Sequence, residues 1–184
     1  MTVIGYIQLT AAQFLEMGKD PPGARLELVH GEVAVSPSAS FDHSDIVFAL
    51  AGILRPHIKR NSLGRLVGDV DTVFDDANVR RPDLLFYSKN RLRLIGKKFV
   101  KGPPDLCIEV LSPSSVAIDR EDKFSLYQAH GVAHYWIIDP DAKTLEAYDL
   151  KDGKFLLKAT GRKTDIMHLR PFPKLGIPLA ELWP

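Results

Sequence analysis

The order of the predicted elements indicates an α/β domain in which a mixed β-sheet is flanked by helices. Three observations support this fold class. Apolar residues recur at helical spacing between residues 43 and 60, short apolar-alternating runs predict strands elsewhere, and turn pairs separate the last of these runs. The chain has 184 residues, enough for one domain with its own core, and we predict a single domain over residues 1–184.

The N-terminal part predicts a helix and a β-hairpin. Thr10 and Gln13 have the spacing of a capping box, so a short helix is expected over about residues 10–18. The following run RLELVHGEVAVSP contains two alternating segments, and its His30-Gly31 pair predicts the turn of the hairpin.

A longer helix follows the hairpin. We predict that it runs from His43 to Arg60, with Ser40 or Asp42 as its cap. Its apolar positions include Ile46 and Leu50, which lie on one face, and Pro56 is expected to kink or shorten it.

The central part predicts strands over residues 65–74 and over the run VRRPDLLFYS. A buried strand then opens the stretch 103–131, in which Leu106, Ile108 and Val110 point to one side. We expect Asp119 to cap a helix that runs to about His130.

The C-terminal part predicts a β-meander. Its three strand-like runs are VAHYWIID, KTLEAYDL and KFLLKAT, and Asp152-Gly153 is a typical turn between the last two. The proline-rich residues after Arg170 are expected to pack as an irregular arm.

Composition excludes several classes of protein. Hydrophobic residues make up 45% and charged residues 26% of the chain, as in ordinary globular domains, and the net charge of +1 gives no global nucleic-acid footprint. One cysteine excludes an internal disulfide and a cysteine-based zinc site. We see no secretion signal and no apolar run of membrane-spanning length, so we expect no membrane contact and a cytoplasmic location.

Three carboxylates lie in or at the start of predicted strands among apolar neighbours: Glu27, Asp83 and Glu109. If they converge, two charges about 4 Å apart repel by roughly 4 kcal/mol at an effective dielectric constant of about 20. A divalent cation reverses that sign, and oxygen ligands suit Mg²⁺ or Mn²⁺. A nearby lysine could orient water or neutralise charge in the transition state, and Lys123, near the start of its predicted helix, is the candidate.

The motifs RPDLLFY, with Asp83, and PPDLCIEVLSPSS, with Glu109, resemble the PD-(D/E)XK signature of restriction-endonuclease-like nucleases. The pattern expects a lysine two residues after the second acid, where this chain has Leu111. Lys123 on the following helix can supply the amine instead. That arrangement resembles the bacterial Uma-two family, also labelled a domain of unknown function, as do LELVHGEVAVSPSASFDH, DREDKFSLY and GVAHYWIIDP.

The resemblance implies a restriction-endonuclease-like core that acts as a Mg²⁺-dependent (or Mn²⁺-dependent) endonuclease, most simply on DNA. It implies that Asp83 and Glu109 bind the metal and that Lys123 is the catalytic lysine. Glu27 corresponds to the acid of the early part of the fold, which orients the site or binds the metal through water. Family members of this type often form dimers, so a homodimer is expected.

A basic run lies just before the buried strand and could track a phosphate backbone. His43 could orient a phosphate as well. A solvated loop and a structural or exposed histidine are the alternatives. The basic residues of the run are Lys89, Arg91, Arg93, Lys97, Lys98 and Lys101.

Each site residue also has a structural interpretation. Glu109 could pair with an arginine, Asp83 could be a turn residue after Pro82, and Lys123 could face solvent, as could Glu27 in the hairpin. At the level of function, the alternatives are a catalytically weak or inactive nucleic-acid- or protein-binding module on the same fold and a hydrolase of another phosphorylated substrate.

Overall fold

The computed structural model describes residues 8–18, 20–113 and 115–184. Residues 1–7, which were considered for a secretion signal, lie outside the described residues. The described α-helices are α1 (Ala11–Glu16), α2 (Phe41–Arg60) and α3 (Lys123–Ala129). A π-helical turn (Ile118–Asp122) directly precedes α3, and Lys89–Leu94 and Leu179–Glu181 form 3₁₀ helices.

The strands lie between and after these helices along the chain. They are β1 (Ala24–Val29), β2 (Glu32–Pro37), β3 (Gly64–Val67), β4 (Thr72–Asp75), β5 (Asn78–Arg80), β6 (Leu84–Ser88), β7 (Val100–Lys101), β8 (Leu106–Val110), β9 (His134–Asp139), β10 (Thr144–Lys151), β11 (Lys154–Arg162), β12 (Ile166–Met167) and β13 (Ile177–Pro178).

In the described part of the chain, the strands form two mixed sheets and a small two-stranded one. The five-stranded sheet has the order β2-β1-β5-β4-β7, and the six-stranded sheet has the order β11-β10-β9-β8-β6-β3. Each contains a parallel pair, β4 with β7 and β8 with β9. The predicted α/β class, with its mixed sheet and flanking helices, is therefore confirmed.

The six-stranded sheet is covered on both faces. Leu106, Ile108 and Val110 pack with the buried side of α2, whereas Cys107 and Leu111 pack with α3 and with strands of the five-stranded sheet. This is the alternation expected of a buried strand. Glu109, on the same face as Cys107, therefore points towards α3.

The N-terminal elements form as predicted. Thr10 Oγ1 accepts a hydrogen bond from the Gln13 N–H, and the Thr10 N–H donates to Gln13 Oε1 at 2.9 Å, which completes the capping box of α1. β1 and β2 pair antiparallel around a turn at His30 and Gly31, whose φ angles are 52° and 83°. The glycine suits that left-handed conformation.

Helix α2 begins two residues earlier than predicted, at Phe41. Ser40 is its cap, because the Ser40 side chain accepts a hydrogen bond from the His43 N–H at 3.2 Å. The helix continues through Pro56 to Arg60, so the expected shortening does not occur.

Two long strands predicted from the sequence are each divided between the sheets. Residues 65–74 supply β3 to the six-stranded sheet and β4 to the five-stranded sheet. The run VRRPDLLFYS likewise changes sheet between β5 and β6, at Pro82, which has no N–H to donate to a ladder. The predictions of continuous strands were wrong because periodicity does not show where a chain changes sheet.

The tail after Arg170 is largely irregular, with β13 and a short 3₁₀ helix, and Phe172 and Leu179 pack into the core beneath α2. Among the described helices, none is long and apolar enough to cross a membrane.

The packing of α2 gives a stability prediction. Leu54 is fully buried against the six-stranded sheet, so we expect Leu54→Ala to lower the free energy of unfolding by about 2–5 kcal/mol in urea denaturation. Phe48→Ala is the control on the same helix, because Phe48 is 76% exposed, and its effect should stay within about 0.5 kcal/mol. Equal losses in the two variants would contradict this packing.

Candidate active site

A cleft of about 380 Å³ lies where the two large sheets meet the start of α2 and the π-helical turn before α3. The four residues singled out in the sequence line this cleft: Glu27, Asp83, Glu109 and Lys123. They come from the five-stranded sheet, the crossing between the sheets, the six-stranded sheet and α3. The fold therefore brings together side chains that are up to 96 positions apart in the chain.

Asp83 lies at the crossing, directly after Pro82. Its Oδ2 accepts a hydrogen bond from the Val110 N–H at 2.8 Å and lies 3.1 Å from His43 Nε2. Gly68 passes so close that a Cβ there would lie 2.4 Å from the Asp83 carbonyl oxygen. The Asp83 backbone is therefore closely packed against Gly68, and the two contacts of Oδ2 hold its carboxylate.

Glu109 lies in the middle of β8 and is 1% exposed. Tyr127, one turn after Lys123 on α3, donates its hydroxyl to Glu109 Oε1 at 2.7 Å. The Lys123 Nζ lies 3.0 Å from Oε2 of the same carboxylate. A carboxylate can be buried in an apolar strand here because both of its oxygens have partners.

Asp119 completes the environment of the lysine. Its Oδ1 lies 2.9 Å from Lys123 Nζ, and Asp119 is 1% exposed. The prediction that Asp119 caps the helix was wrong, because the chain is already helical there and the Asp119 N–H donates to the Ser115 carbonyl. Its carboxylate turns inward to the amine instead.

Glu27 lines the cleft from β1 and does not face solvent freely. Its Oε1 accepts a hydrogen bond from the Arg81 N–H at 2.6 Å, and its Oε2 lies 3.7 Å from Arg80 Nη1. Arg80, only 1% exposed, also contacts Asp122 at 2.6 Å, one residue before Lys123. Arg80 therefore links Glu27 in β1 to the helical segment that carries Lys123.

The acids of the cleft differ in the direction of their pKa shifts. Burial opposes ionisation of Asp83, but the hydrogen bond and charge of His43 outweigh it, so the pKa of Asp83 is lowered. The pKa of Glu27 is also lowered, since the charges of Lys123 and Arg25 outweigh burial. Burial raises the pKa of Glu109 well above its usual value, against the opposing charge of Lys123.

Lys123 stays an ammonium in this environment. Burial alone would lower its pKa, but the surrounding carboxylates, with Glu109 first among them, raise it well above its usual value. The site thus combines an ionised Asp83 with a buried cation next to Glu109.

The donor set suits a hard divalent cation. Across residues 8–18, 20–113 and 115–184, no group of three His, Cys, Asp or Glu side chains is arranged to hold a metal ion. Mg²⁺ needs only one or two carboxylates, because it retains several waters. The hydrogen-bonding contacts of Asp83 described above both use Oδ2, while its Oδ1 has Arg25 Nη1 at 3.7 Å and the residue lines the cleft, so Oδ1 is the oxygen that could bind an ion.

The basic run lies in a different place. Residues 89–94 form a 3₁₀ helix, where Arg91 donates to the Pro103 carbonyl and Arg93 to the Asn90 carbonyl, both at 2.8 Å. Among the described residues, those that line the carboxylate cleft include His43 but none of the run 89–101. Its proposed contact with nucleic acid stays a prediction.

Sequence reasoning missed Arg25 and the pairing role of Asp119. Arg25 lies 3.7 Å from Asp83 and 3.9 Å from Glu27. Two signals were present: Arg25 is two residues before Glu27 in a strand, hence on the same face, and Asp119 is four residues before Lys123 in a helical segment.

The buried pair gives a linked stability prediction. Lys123→Met leaves Glu109 and Asp119 without their cation, so we expect a loss of about 3–5 kcal/mol at neutral pH in urea denaturation. Because the folded state raises the pKa of Glu109, it binds that proton more tightly than the unfolded state, and the loss should shrink as pH falls.

Adding Glu109→Gln to Lys123→Met removes the titrating group and should remove most of this pH dependence. A stability loss in Lys123→Met that is the same at every pH would contradict the assignment of the buried charges.

Comparisons with known proteins agree with this fold. A solved structure titled as a putative nuclease belonging to DUF820, from Anabaena variabilis ATCC 29413, superimposes with a TM-score of 0.76 at 20% identity, covering 95% of this chain and 97% of that one. The uncharacterized protein sll1609 of Synechocystis sp. (strain ATCC 27184 / PCC 6803 / Kazusa) is 25% identical over 152 residues, which is 81% of this chain and 85% of that protein.

The family model of Uma2, described as "Putative restriction endonuclease", matches residues 11–180. This match contains all four cleft residues and nearly every described element. The chain belongs to the Uma2 family.

Proposed function

We propose that this protein is a metal-dependent nuclease that hydrolyses phosphodiester bonds, most simply in DNA, within the carboxylate cleft. One observation carries the proposal: Asp83, Glu109 and Lys123 come from three separate elements and line one cleft. Family membership supports the nuclease class. The DNA substrate and the metal are our inference from the chemistry of the cleft.

The proposed ligands of the metal are Asp83 and Glu109, and Mg²⁺ or Mn²⁺ is the ion that suits them. When bound, such an ion polarises a phosphodiester and lowers the pKa of a bound water. If Glu109 bound the ion, its oxygens would be shared between the ion and their present partners, Tyr127 and Lys123, which would weaken the contact with Lys123.

The ammonium of Lys123 has three donors, and Glu109 and Asp119 account for two of them, so the third can act on the substrate. Its Nζ is 3.0 Å from Glu109, so a phosphate oxygen next to that carboxylate comes within its hydrogen-bonding reach. A preorganised cation in a buried cleft stabilises the charge that develops on phosphorus oxygens. Glu27, held by the Arg81 N–H, orients the cleft from the opposite sheet.

A homodimer in the cytoplasm completes the proposal. Two-fold pairing places two such clefts on opposite strands of a duplex, which suits cutting both strands. The basic residues of the run 89–101 are then available to contact the phosphate backbone outside the cleft.

A second function, a binding module that keeps the fold without turnover, is favoured by two observations. Both oxygens of Glu109 already have partners, Tyr127 and Lys123, and the usual lysine position holds Leu111. A module of this kind would bind nucleic acid or protein without using the acids.

Cleavage of a plasmid and of labelled oligonucleotides tests the nuclease directly. We expect activity with Mg²⁺ or Mn²⁺ and none with EDTA. Asp83→Asn and Lys123→Met should each lower kcat by about 10²- to 10³-fold, because the first removes a proposed metal ligand and the second removes the cation beside the reacting phosphate.

The matched control is Asp149→Asn. Asp149 pairs with His134 at 2.7 Å, as Asp83 pairs with His43, but it does not line the cleft. It should retain activity. Cleavage that survives EDTA, or an Asp83→Asn variant as active as Asp149→Asn, would refute the proposal.

Calorimetric titration with Mn²⁺ separates the nuclease from the binding module. A working site should give binding heat that Glu109→Gln abolishes and that Glu146→Gln keeps, since Glu146 pairs with Arg120 outside the cleft. No heat from the unmodified protein would favour the module.

A further inference from the structure

In the described part of the chain, Arg25 is half-buried and has charge contacts without hydrogen bonds, whereas Arg80 and Arg81 each donate to a carboxylate, although Nε of Arg80 also lacks an acceptor. The Arg25 Nη1 lies 3.7 Å from Asp83 Oδ1, its Nη2 lies 3.9 Å from Glu27 Oε1 and its Nε lies 3.9 Å from Asp69 Oδ1. These distances exceed those of hydrogen bonds. Within the described residues, Nε and Nη2 are buried and have no hydrogen-bond acceptor.

Other arginines show what a structural role looks like in this protein. Arg81 donates from Nε to Asp71 at 2.9 Å and from Nη1 to Asp20. Arg120 donates two parallel hydrogen bonds to Glu146, both at 2.9 Å. Buried donors without an acceptor are costly, so the open fork of Arg25 requires an explanation.

The position of Arg25 suggests one. It lines both the carboxylate cleft and an adjoining cavity of about 490 Å³, which share His43 and Asp83 as well. Lys123 stands beside Glu109, and Arg25 stands beside Asp83. Each of the two acids therefore has a cation of its own.

We infer that Arg25 is a phosphate-binding residue of the cleft, which holds the phosphodiester of the substrate through its guanidinium fork. This inference rests on the proposed nuclease function and adds the residue that contacts the substrate on the Asp83 side. A guanidinium matches two oxygens of one phosphate, and such charged pairs are the stronger hydrogen bonds. Because no hydrogen bond fixes the side chain, rotation about its bonds can present Nε and Nη2 to the cavity.

The cleft is lined by four acidic side chains, and a substrate phosphate needs cations to offset them. Glu27, Asp83, Glu109 and Asp119 would repel a phosphodiester on their own. Lys123 is already engaged by Glu109 and Asp119. A second cation with unused donors reduces that repulsion at the end of the cleft next to the adjoining cavity.

Binding can be tested without turnover. The probe is the dinucleoside monophosphate thymidylyl-thymidine, titrated in EDTA and followed by the Arg25 Nε–H resonance in proton–nitrogen NMR spectra, with inorganic phosphate and thymidine as separate arms. We expect a saturable shift with the first two and none with thymidine. A shift in the thymidine arm would overturn the inference. So would the absence of a shift with both thymidylyl-thymidine and inorganic phosphate.

Three variants refine the test. Arg25→Gln should weaken binding of thymidylyl-thymidine about tenfold or more, and Arg25→Lys, which keeps the charge but not the fork, by less. Arg65→Gln removes an equal charge from an exposed residue that lines neither cavity and should bind as the unmodified protein does. Equal weakening in Arg65→Gln and Arg25→Gln would indicate general charge attraction and overturn the subsite.

Cleavage kinetics separate this inference from the function it rests on. Arg25→Gln should raise KM for an oligonucleotide at least as much as it lowers kcat, with urea denaturation showing that the variant is folded. If the unmodified protein cleaves nothing but the phosphate titration succeeds, the nuclease fails and the subsite stands. If it cleaves and Arg25→Gln cleaves and binds equally well, the subsite fails and the nuclease stands.

Discussion

The ammonium of Lys123 is the charge that allows the acids of the cleft to be buried together. Glu109 and Asp119 are each 1% exposed, and their oxygens lie 3.0 and 2.9 Å from that one nitrogen. A buried carboxylate without a partner is among the most costly groups in a protein interior. The stability of this region and the proposed chemistry therefore depend on the same amine. Binding of a metal or a substrate would weaken its present contact with Glu109.

The division of the strands between two sheets is what makes the cleft possible. Glu27 belongs to the five-stranded sheet, Glu109 belongs to the six-stranded sheet, and Asp83 lies where the chain crosses between them. Pro82 interrupts the ladder at that crossing, and Gly68 allows the neighbouring backbone to approach it closely. A continuous strand through residues 79–88 would have placed Asp83 within a ladder instead of at the mouth of the cleft.

Local sequence patterns predicted the parts of this fold that depend on local chemistry. The alternation of Leu106, Ile108 and Val110, the turn at His30-Gly31 and the Ser40 alternative for the cap of α2 all follow from short-range rules, and each is observed. The position of Glu109 within an apolar strand indicated a site for the same reason, because burial of a lone acid is unfavourable.

The remaining features depend on long-range contacts. An aspartate before a helical run fits a cap and an ion pair equally well, and the position of Lys123 in three dimensions decides in favour of the pair for Asp119. Strand alternation places Arg25 on the face of Glu27, but only the folded structure shows that its Nε and Nη2 lack acceptors. The sheet assignment of residues 65–74 likewise depends on which partners the two halves find.

The most direct test of this account is a crystal structure of the protein soaked in Mn²⁺, with an anomalous map recorded at the manganese edge. The account predicts a peak bound by Asp83 and Glu109, with Lys123 Nζ close to it and no longer in its 3.0 Å contact with Glu109. A map without a peak in the cleft, with Lys123 still paired to Glu109, would contradict it.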